Sequence, residues 1–121
     1  MLPKIKDIEK KRRGYATQDK KWEIYSEAHF APLEEVVRLL EKSEMKCAYC
    51  ENIMLSEYTA RHPNQWTLDR IDNDYGHNTG NVLACCLKCN LQRRSRDSKK
   101  FAFTKQLKVH KLGSGDVDAL A

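Results

Sequence analysis

Two pairs of cysteines are the residues of this sequence best suited to bind a metal ion. Cys47 and Cys50 form one C-x-x-C pair, and Cys86 and Cys89 form a second pair after 35 intervening residues. Zinc takes four thiolates in a tetrahedron, and a two-residue spacer lets one tight turn present two sulfurs to the same ion. The spacing favours a structural zinc site. Disulfide or redox use is the alternative, and it fits less well because no feature indicates an oxidising compartment.

The fifth cysteine, Cys85, lies directly before the second pair and follows the apolar residues 82–84. A free cysteine is among the most frequently buried residue types and packs as a small hydrophobe. We therefore expect Cys85 in the core and outside the ligand set.

A second group of polar residues lies between the cysteine pairs, in the run TLDRIDNDYGHNTGNV from Thr67 to Val82. Alternation predicts a strand over residues 65–71 and a second strand over 81–85, joined by a turn-rich loop over 72–80. A basic helix should begin near Asn90. Asp69 on the first strand and Asn90 on the helix can then approach each other. Two such oxygen ligands suit Mg²⁺ or Mn²⁺, hard cations that also bind phosphate.

The 121-residue chain has the length of one domain, and its composition is 40% hydrophobic and 32% charged. The net charge of +5 favours a polyanionic partner. No apolar run is long enough for a membrane span, and the first residues lack the apolar core of a secretory signal. We expect an intracellular, soluble protein of the cytoplasm or nucleus without a membrane partner.

The elements that must position these groups are mostly helical on the N-terminal side. A helix with weak apolar spacing is expected over about residues 16–29. Pro32 suits the first turn of the next helix, which repeats apolar side chains at Leu33, Val36, Val37 and Leu40. Trp22, Trp66 and Phe101 are expected in the core. We divide the chain into a basic leader and helical extension (1–45), a zinc-binding domain (46–98), and a basic segment with a flexible tail (99–121).

Taken together, the residues from Cys47 to Arg94 resemble the HNH endonucleases in their zinc-stapled form. The motifs in order are C-x-x-C, L-D-R-I-D-N, G-H, G-N-V and C-C-x-x-C-N. Within that family the chain is most similar to the branch of phages and large DNA viruses that carries an L-D-R-I-D-N box, so a phage or viral origin is expected. The resemblance covers 48 of the 121 residues. It implies an α+β fold: a small zinc-stabilised ββα-metal domain, here with a helical N-terminal extension.

The resemblance also implies roles for individual positions. Asp69 and Asn90 match the two ligands of the catalytic Mg²⁺ or Mn²⁺. Asn81 matches the asparagine that braces the hairpin loop and orients the base. Cys47, Cys50, Cys86 and Cys89 match the structural zinc ligands.

Arg70 departs from the family pattern, because it stands where the general-base histidine is expected. An arginine with a pKa above about 12 cannot accept a proton at neutral pH. Three interpretations follow. His77 supplies the imidazole from the loop; Asp72 activates a metal-bound water while Arg70 stabilises phosphate charge; or the site has lost catalysis and only binds.

The predicted function is metal-dependent hydrolysis of phosphodiester bonds, with nucleic acid, and DNA in particular, as the partner. The product would be a nick or, from a dimer, a double-strand break. The alternative is a non-catalytic zinc-binding module that binds DNA or RNA or scaffolds a nucleoprotein assembly. The residues expected to contact nucleic acid in either case are Arg70, Lys88, Arg93, Arg94 and Arg96.

Overall fold

Over the residues that the structure describes, the architecture is mixed α+β, with one two-stranded sheet and four helices. It was obtained as a computed structural model that describes residues 1–57 and 59–114, with side chains described as far as Leu107, apart from Tyr58. The elements in chain order are α1 (Ile5–Lys21), α2 (Leu33–Lys42), β1 (Trp66–Arg70), β2 (Val82–Cys86), α3 (Leu87–Arg93) and α4 (Ser98–Ser114). No helix in this part of the chain is long and apolar enough to span a membrane.

Helix α1 corrects the expected boundaries, because it begins at Ile5 and ends at Lys21 instead of covering 16–29. An acidic residue in its first turn and two lysines in its last turn complement the helix dipole. The charged leader is therefore helical, and it packs on the rest of the domain. Ile8 is fully buried, and Arg12 Nε donates to the carbonyl of Ala31 at 2.8 Å.

Helix α2 confirms the amphipathic pattern. Pro32 stands at its N-cap, and Val36 and Leu40 are fully buried on the face that points into the core. Trp22 lies just after the last turn of α1, and 65% of its surface is accessible. The expectation of a core position was wrong for Trp22, whereas Trp66 and Phe101 are buried.

Strands β1 and β2 form the predicted antiparallel hairpin, in the register that pairs Thr67 with Cys85 and Asp69 with Leu83. Each strand lies within one residue of its expected bounds. Both faces of β1 are buried, including the polar face that carries Thr67 and Asp69. The polar face is covered because α3 crosses it.

The outer edge of β1, the edge that does not face β2, is occupied by side chains. Peptide groups along this edge lack a partner strand, and unpaired backbone groups are costly to bury. Helix α1 supplies two partners and α3 supplies two more. The bonds are Lys11 Nζ to the Trp66 carbonyl, the Leu68 N–H to Tyr15 Oη at 3.0 Å, Asn90 Nδ2 to the Leu68 carbonyl at 3.2 Å, and Arg93 to the Arg70 carbonyl.

The basic segment after residue 98 is helical and packs on the cysteine domain. Helix α3 begins at Leu87, earlier than expected, and α4 follows after a turn at Arg94, whose φ is 54°. Phe101 of α4 meets the ring of Tyr49 edge-on, with 4.9 Å between centroids. The tail LGSGDVDALA was expected to be flexible; its first three residues end α4, and 115–121 lie outside the described residues.

Gly76 marks the point where α1 meets the hairpin loop. A Cβ at this position would lie 2.6 Å from Asp19 Oδ2 and 2.8 Å from the Ile24 carbonyl oxygen. Real Cβ atoms do not approach other atoms so closely, so the loop or the helix would have to move.

We predict that Gly76→Ala lowers the free energy of unfolding by roughly 1–3 kcal/mol, the usual cost of overpacking. Gly14 provides the matched control, because it is an exposed residue of α1 and a Cβ there would have nothing within 4 Å. Gly14→Ala should raise stability by roughly 0.5–1 kcal/mol. Urea denaturation of both variants tests this, and changes of the same sign would contradict it.

Candidate metal centre and hairpin site

The four predicted ligands come together in one buried cluster. Their Sγ atoms all lie within 4.8 Å of one another. Thiolates at about 2.3 Å from a zinc ion would stand about 3.8 Å apart, and Cys50 Sγ lies 3.9 Å from Cys86 Sγ. The cluster could therefore hold a metal such as zinc.

Backbone N–H groups point at the first sulfur of each pair. Cys47 Sγ accepts from the amides of Tyr49 and Cys50 at 3.3 and 3.4 Å, and Cys86 Sγ accepts from that of Cys89 at 3.5 Å. These donors stabilise negative charge on sulfur. They are a second indication that the cluster is built for thiolates.

The clustered cysteines shift one another's pKa values in opposite directions. Hydrogen bonds from the neighbouring Cys86 and Cys89 thiols lower the pKa of Cys47, while the same Cys47 thiolate raises the pKa of Cys86 to about 11. A divalent cation would remove this mutual repulsion and let several sulfurs ionise together. The donor set therefore fits a structural metal ion.

Cys85 is buried, as expected, and lies outside the cluster. Its side chain has no accessible surface, and its sulfur lies 3.4 Å from Thr67 Oγ1. Burial raises the pKa of this thiol well above its usual range. Cys85 therefore serves as a packing residue.

Asp69 and Asn90 both lie on the side of β1 that α3 covers. Asp69 Oδ2 accepts from Tyr49 Oη at 2.6 Å and from Arg93 Nη1 at 2.8 Å. Asn90 Nδ2 donates to Thr67 Oγ1 at 3.0 Å, two residues before Asp69 on the same face of the strand. Both side chains thus hold α3 on β1. In each, the Oδ1 atom accepts no hydrogen bond from the residues that the structure describes.

Arg93 was expected to reach a phosphate, but its side chain is only 2% exposed. It donates to Asp69, to the carbonyls of Arg70 and Ile71, and through Nε to that of Arg96 at 2.7 Å. A guanidinium with four protein acceptors is a buried structural cation. The Arg93 side chain is therefore not available to a phosphate, which corrects the expectation.

The hairpin loop is held by three of the predicted residues. Asn81 Oδ1 accepts from the Asp72 amide at 2.8 Å, and its Nδ2 donates to the carbonyls of Asp72 and Gly76. Asp72 Oδ1 accepts from the amide two residues later at 2.9 Å, as in an Asx turn. Arg70 Nη1 donates to the carbonyls of Asn73 and Tyr75. In this structure all three side chains shape the loop.

His77, the histidine of the predicted loop, is buried, with 3% of its surface exposed. Its Nδ1 lies 2.7 Å from Asp19 Oδ1, and its backbone N–H donates to Asp19 Oδ2 at 2.7 Å. Tyr15 packs against the ring with 4.5 Å between centroids. Helix α1 therefore fixes the orientation of this histidine.

The protonation of His77 follows from two opposed effects. Burial lowers its pKa from 6.5, and the Asp19 carboxylate beside it offsets only part of that shift. The short contact alone would indicate a charged pair, but burial is the larger influence, so the imidazole is neutral. With its Nδ1 proton donated to Asp19, Nε2 is left as an acceptor.

Three side chains of the site had no signal in the sequence: Tyr15, Asp19 and Tyr49. Asp19 is separated from His77 by 58 positions and stands in an otherwise charged stretch, where a buried carboxylate is rare. Tyr49 lies between the ligands of the first pair, where the cysteine spacing says nothing about the intervening residue. Tyr49 and Tyr15 each place a hydroxyl within hydrogen-bonding reach of β1.

Of the other basic residues expected at a nucleic-acid surface, Arg70 is half-buried, whereas Lys88, Arg94 and Arg96 are exposed. Lys88 lies in the first turn of α3, and Arg94 and Arg96 lie in the turn before α4. None of the three forms an ion pair with another described residue.

No protein-family model, curated protein or solved structure matches this chain. Functional assignment therefore depends on the motif and on the geometry just described.

We predict that metal binding requires the four clustered cysteines and not Cys85. Cys86→Ser should abolish stoichiometric metal binding and most of the folding free energy, which for a domain of this kind is about 5–15 kcal/mol. Elemental analysis and circular dichroism of reduced protein would measure both. Cys85→Ala is the matched control, and it should retain the metal of the unmodified chain; loss of metal from both variants would contradict the assignment.

We also predict that Arg93→Ala destabilises the fold by roughly 3–5 kcal/mol, because it leaves the Asp69 carboxylate buried without its cation. Arg96→Ala removes an exposed arginine from the same region and should change stability by less than about 0.5 kcal/mol. Thermal and urea unfolding of the two variants test the difference. Similar stabilities would show that the Arg93 ion pair is not a structural requirement.

Proposed function

We propose that this protein is an HNH-type, metal-dependent endonuclease that hydrolyses phosphodiester bonds in DNA, with a structural zinc ion in the four-cysteine cluster. The observation that supports it most is the buried pair of His77 and Asp19 beside the strand that carries Asp69. A neutral imidazole with one nitrogen held by a carboxylate is the arrangement of a general base. His77 thus supplies the imidazole that the family pattern has at position 70, where this chain has an arginine.

A chain of contacts connects His77 with the oxygen ligands. The ring of His77 packs on Tyr15, Tyr15 Oη accepts from the Leu68 amide, and the Leu68 carbonyl accepts from Asn90. Burial lowers the pKa of His77, and the charge on Asp69 opposes that shift only slightly, after the larger effect of Asp19. His77 and Asn90 are thus connected through Tyr15 and the backbone of Leu68, the residue before Asp69.

In this proposal, a second, catalytic cation is assigned to Asp69 and Asn90. Asp69 Oδ1 and Asn90 Oδ1 would hold Mg²⁺ or Mn²⁺, with water and phosphate oxygens as further ligands. When bound, such an ion polarises the phosphate and stabilises the leaving oxygen. Arg93 stands beside this carboxylate, so it lowers the local negative charge and the affinity for a cation.

The protein residues carry the remaining steps. His77 Nε2 takes a proton from the attacking water, and Asp19 holds the ring in the tautomer that permits this. Arg70 cannot take the proton, and its guanidinium instead holds the loop that carries His77. Cys47, Cys50, Cys86 and Cys89 would supply all four ligands of a tetrahedral ion, so an ion held there would support the fold and would take no part in hydrolysis.

A second candidate function is a non-catalytic module that binds nucleic acid. The observation that favours it is the ion pair between Asp69 and Arg93, which already satisfies one oxygen of the main carboxylate ligand. A site that only binds phosphate would not need that carboxylate to hold a cation.

We predict that the purified protein nicks supercoiled plasmid in the presence of Mg²⁺ or Mn²⁺, and that His77→Gln slows nicking by roughly 10²–10⁴-fold, the usual contribution of a general base. His29→Gln is the matched control, since His29 is exposed and should be dispensable. Because burial lowers the pKa of His77, the unmodified rate should fall only below pH 6.5. Both variants are checked for folding by thermal melting.

The outcomes separate the two candidates. Failure to nick with any tested divalent cation, together with retained DNA binding, would replace the nuclease by the binding module. Equal rates for the two histidine variants would remove His77 from the mechanism.

A further inference from the structure

A basic cleft lies between α3 and α4, apart from the hairpin site. Its open volume is about 1090 Å³. Four cationic side chains and one carboxylate line it, together with Phe101. The charged lining residues are Arg94, Arg96, Asp97, Lys100 and Lys105.

The cations of this cleft are largely left without acidic partners. Arg94, Arg96 and Lys100 are exposed and form no ion pair with any described residue. The carboxylate of Asp97 caps α4, since its Oδ1 accepts from the Lys100 backbone N–H at 2.9 Å. An acid used as a helix cap neutralises the cleft only in part. The lining therefore carries an excess of positive charge that is available to a polyanion.

Both walls of the cleft are fixed to the strand that carries Asp69. Arg93 ties the end of α3 to Asp69, and Tyr49 Oη, which donates to Asp69, lies 3.0 Å from Ser98 Oγ at the start of α4. Lys105 Nζ donates to Gln92 Oε1 and so joins the two walls. The positions of the cleft and of the hairpin site are therefore coupled through a few side chains.

We infer that the cleft between α3 and α4 binds the sugar–phosphate backbone of nucleic acid through Arg94, Arg96 and Lys100. Contacts from these cationic side chains to phosphates carry no base sequence information, so the cleft adds affinity and not sequence preference. This inference rests on the proposed nucleic-acid partner and names where that partner is held. It does not depend on hydrolysis, so it applies to both candidate functions.

The test is fluorescence anisotropy of a short labelled DNA duplex, and of its single strand, across a series of salt concentrations without Mg²⁺ or Mn²⁺. The charge-reversal variant is Arg96→Glu with Lys100→Glu. We expect roughly a tenfold loss of affinity, and a slope of log affinity against log salt that is shallower by about 2, since each lost phosphate contact removes about 0.9. The preferred strand form identifies the ligand.

The matched control is Lys4→Glu with Lys6→Glu, which makes the same change in net charge on exposed positions at the start of α1. It should leave the affinity within a few-fold of the unmodified chain. Equal losses in the two double variants would show a dependence on net charge alone and would overturn the cleft assignment. So would unchanged binding in the cleft variant, or in Arg96→Ala with Lys100→Ala if charge reversal impairs folding. If the unmodified chain binds no nucleic acid, the proposed function fails together with the cleft.

Discussion

The spatial convergence of four sulfurs on one point is the constraint on which the remaining structure depends. The first pair comes from a loop, and the second comes from the end of β2 and the first turn of α3. The amide of Ala48 also donates to the Ala84 carbonyl at 3.0 Å, so the loop is fixed to the hairpin as well as to the cluster. Tyr49 is thereby placed within hydrogen-bonding distance of Asp69. Helix α3 begins directly after β2, and its residues Asn90 and Arg93 contact β1.

Buried polar groups, as well as apolar ones, hold the helices and strands together in the interior. Arg93 and Tyr49 converge on one carboxylate oxygen of Asp69, and Asp19 takes two hydrogen bonds from His77. Buried charges are tolerated when their partners are in place, and they specify geometry more narrowly than apolar contacts do. The residues proposed for chemistry are therefore held by the same bonds that hold the helices.

The sequence could predict those parts of the molecule whose physical basis is local. The period of Val36 and Leu40 identifies α2, alternation identifies the strands, and the two-residue spacers identify the four cysteines that cluster. Helix α1 was misplaced because several of its contacts with the domain are polar, through residues such as Lys11, Arg12 and Asp19, so apolar periodicity carries little of the signal.

The residues that contact Asp69 and His77 from distant parts of the chain could not be predicted, because burial and pairing of a charged side chain leave no local pattern. The sequence does not distinguish a buried arginine from an exposed one. Arg93 is buried, although the arginines next to it in sequence are exposed. His77 was recognised as a possible base, but its carboxylate partner lies on an element with no sequence proximity. The resemblance to the HNH motif spans residues 47–94 and so contains neither Asp19 nor Tyr15.

The closed outer edge of β1 has a consequence for how copies of this chain could associate. A short sheet normally offers its free edge as a template on which a strand from another molecule can pair. Here lysine, tyrosine, asparagine and arginine side chains already occupy peptide groups that such a strand would need. Dimerisation or fibril growth by extension of the sheet through β1 is therefore blocked, and any symmetric assembly has to be built from other surfaces.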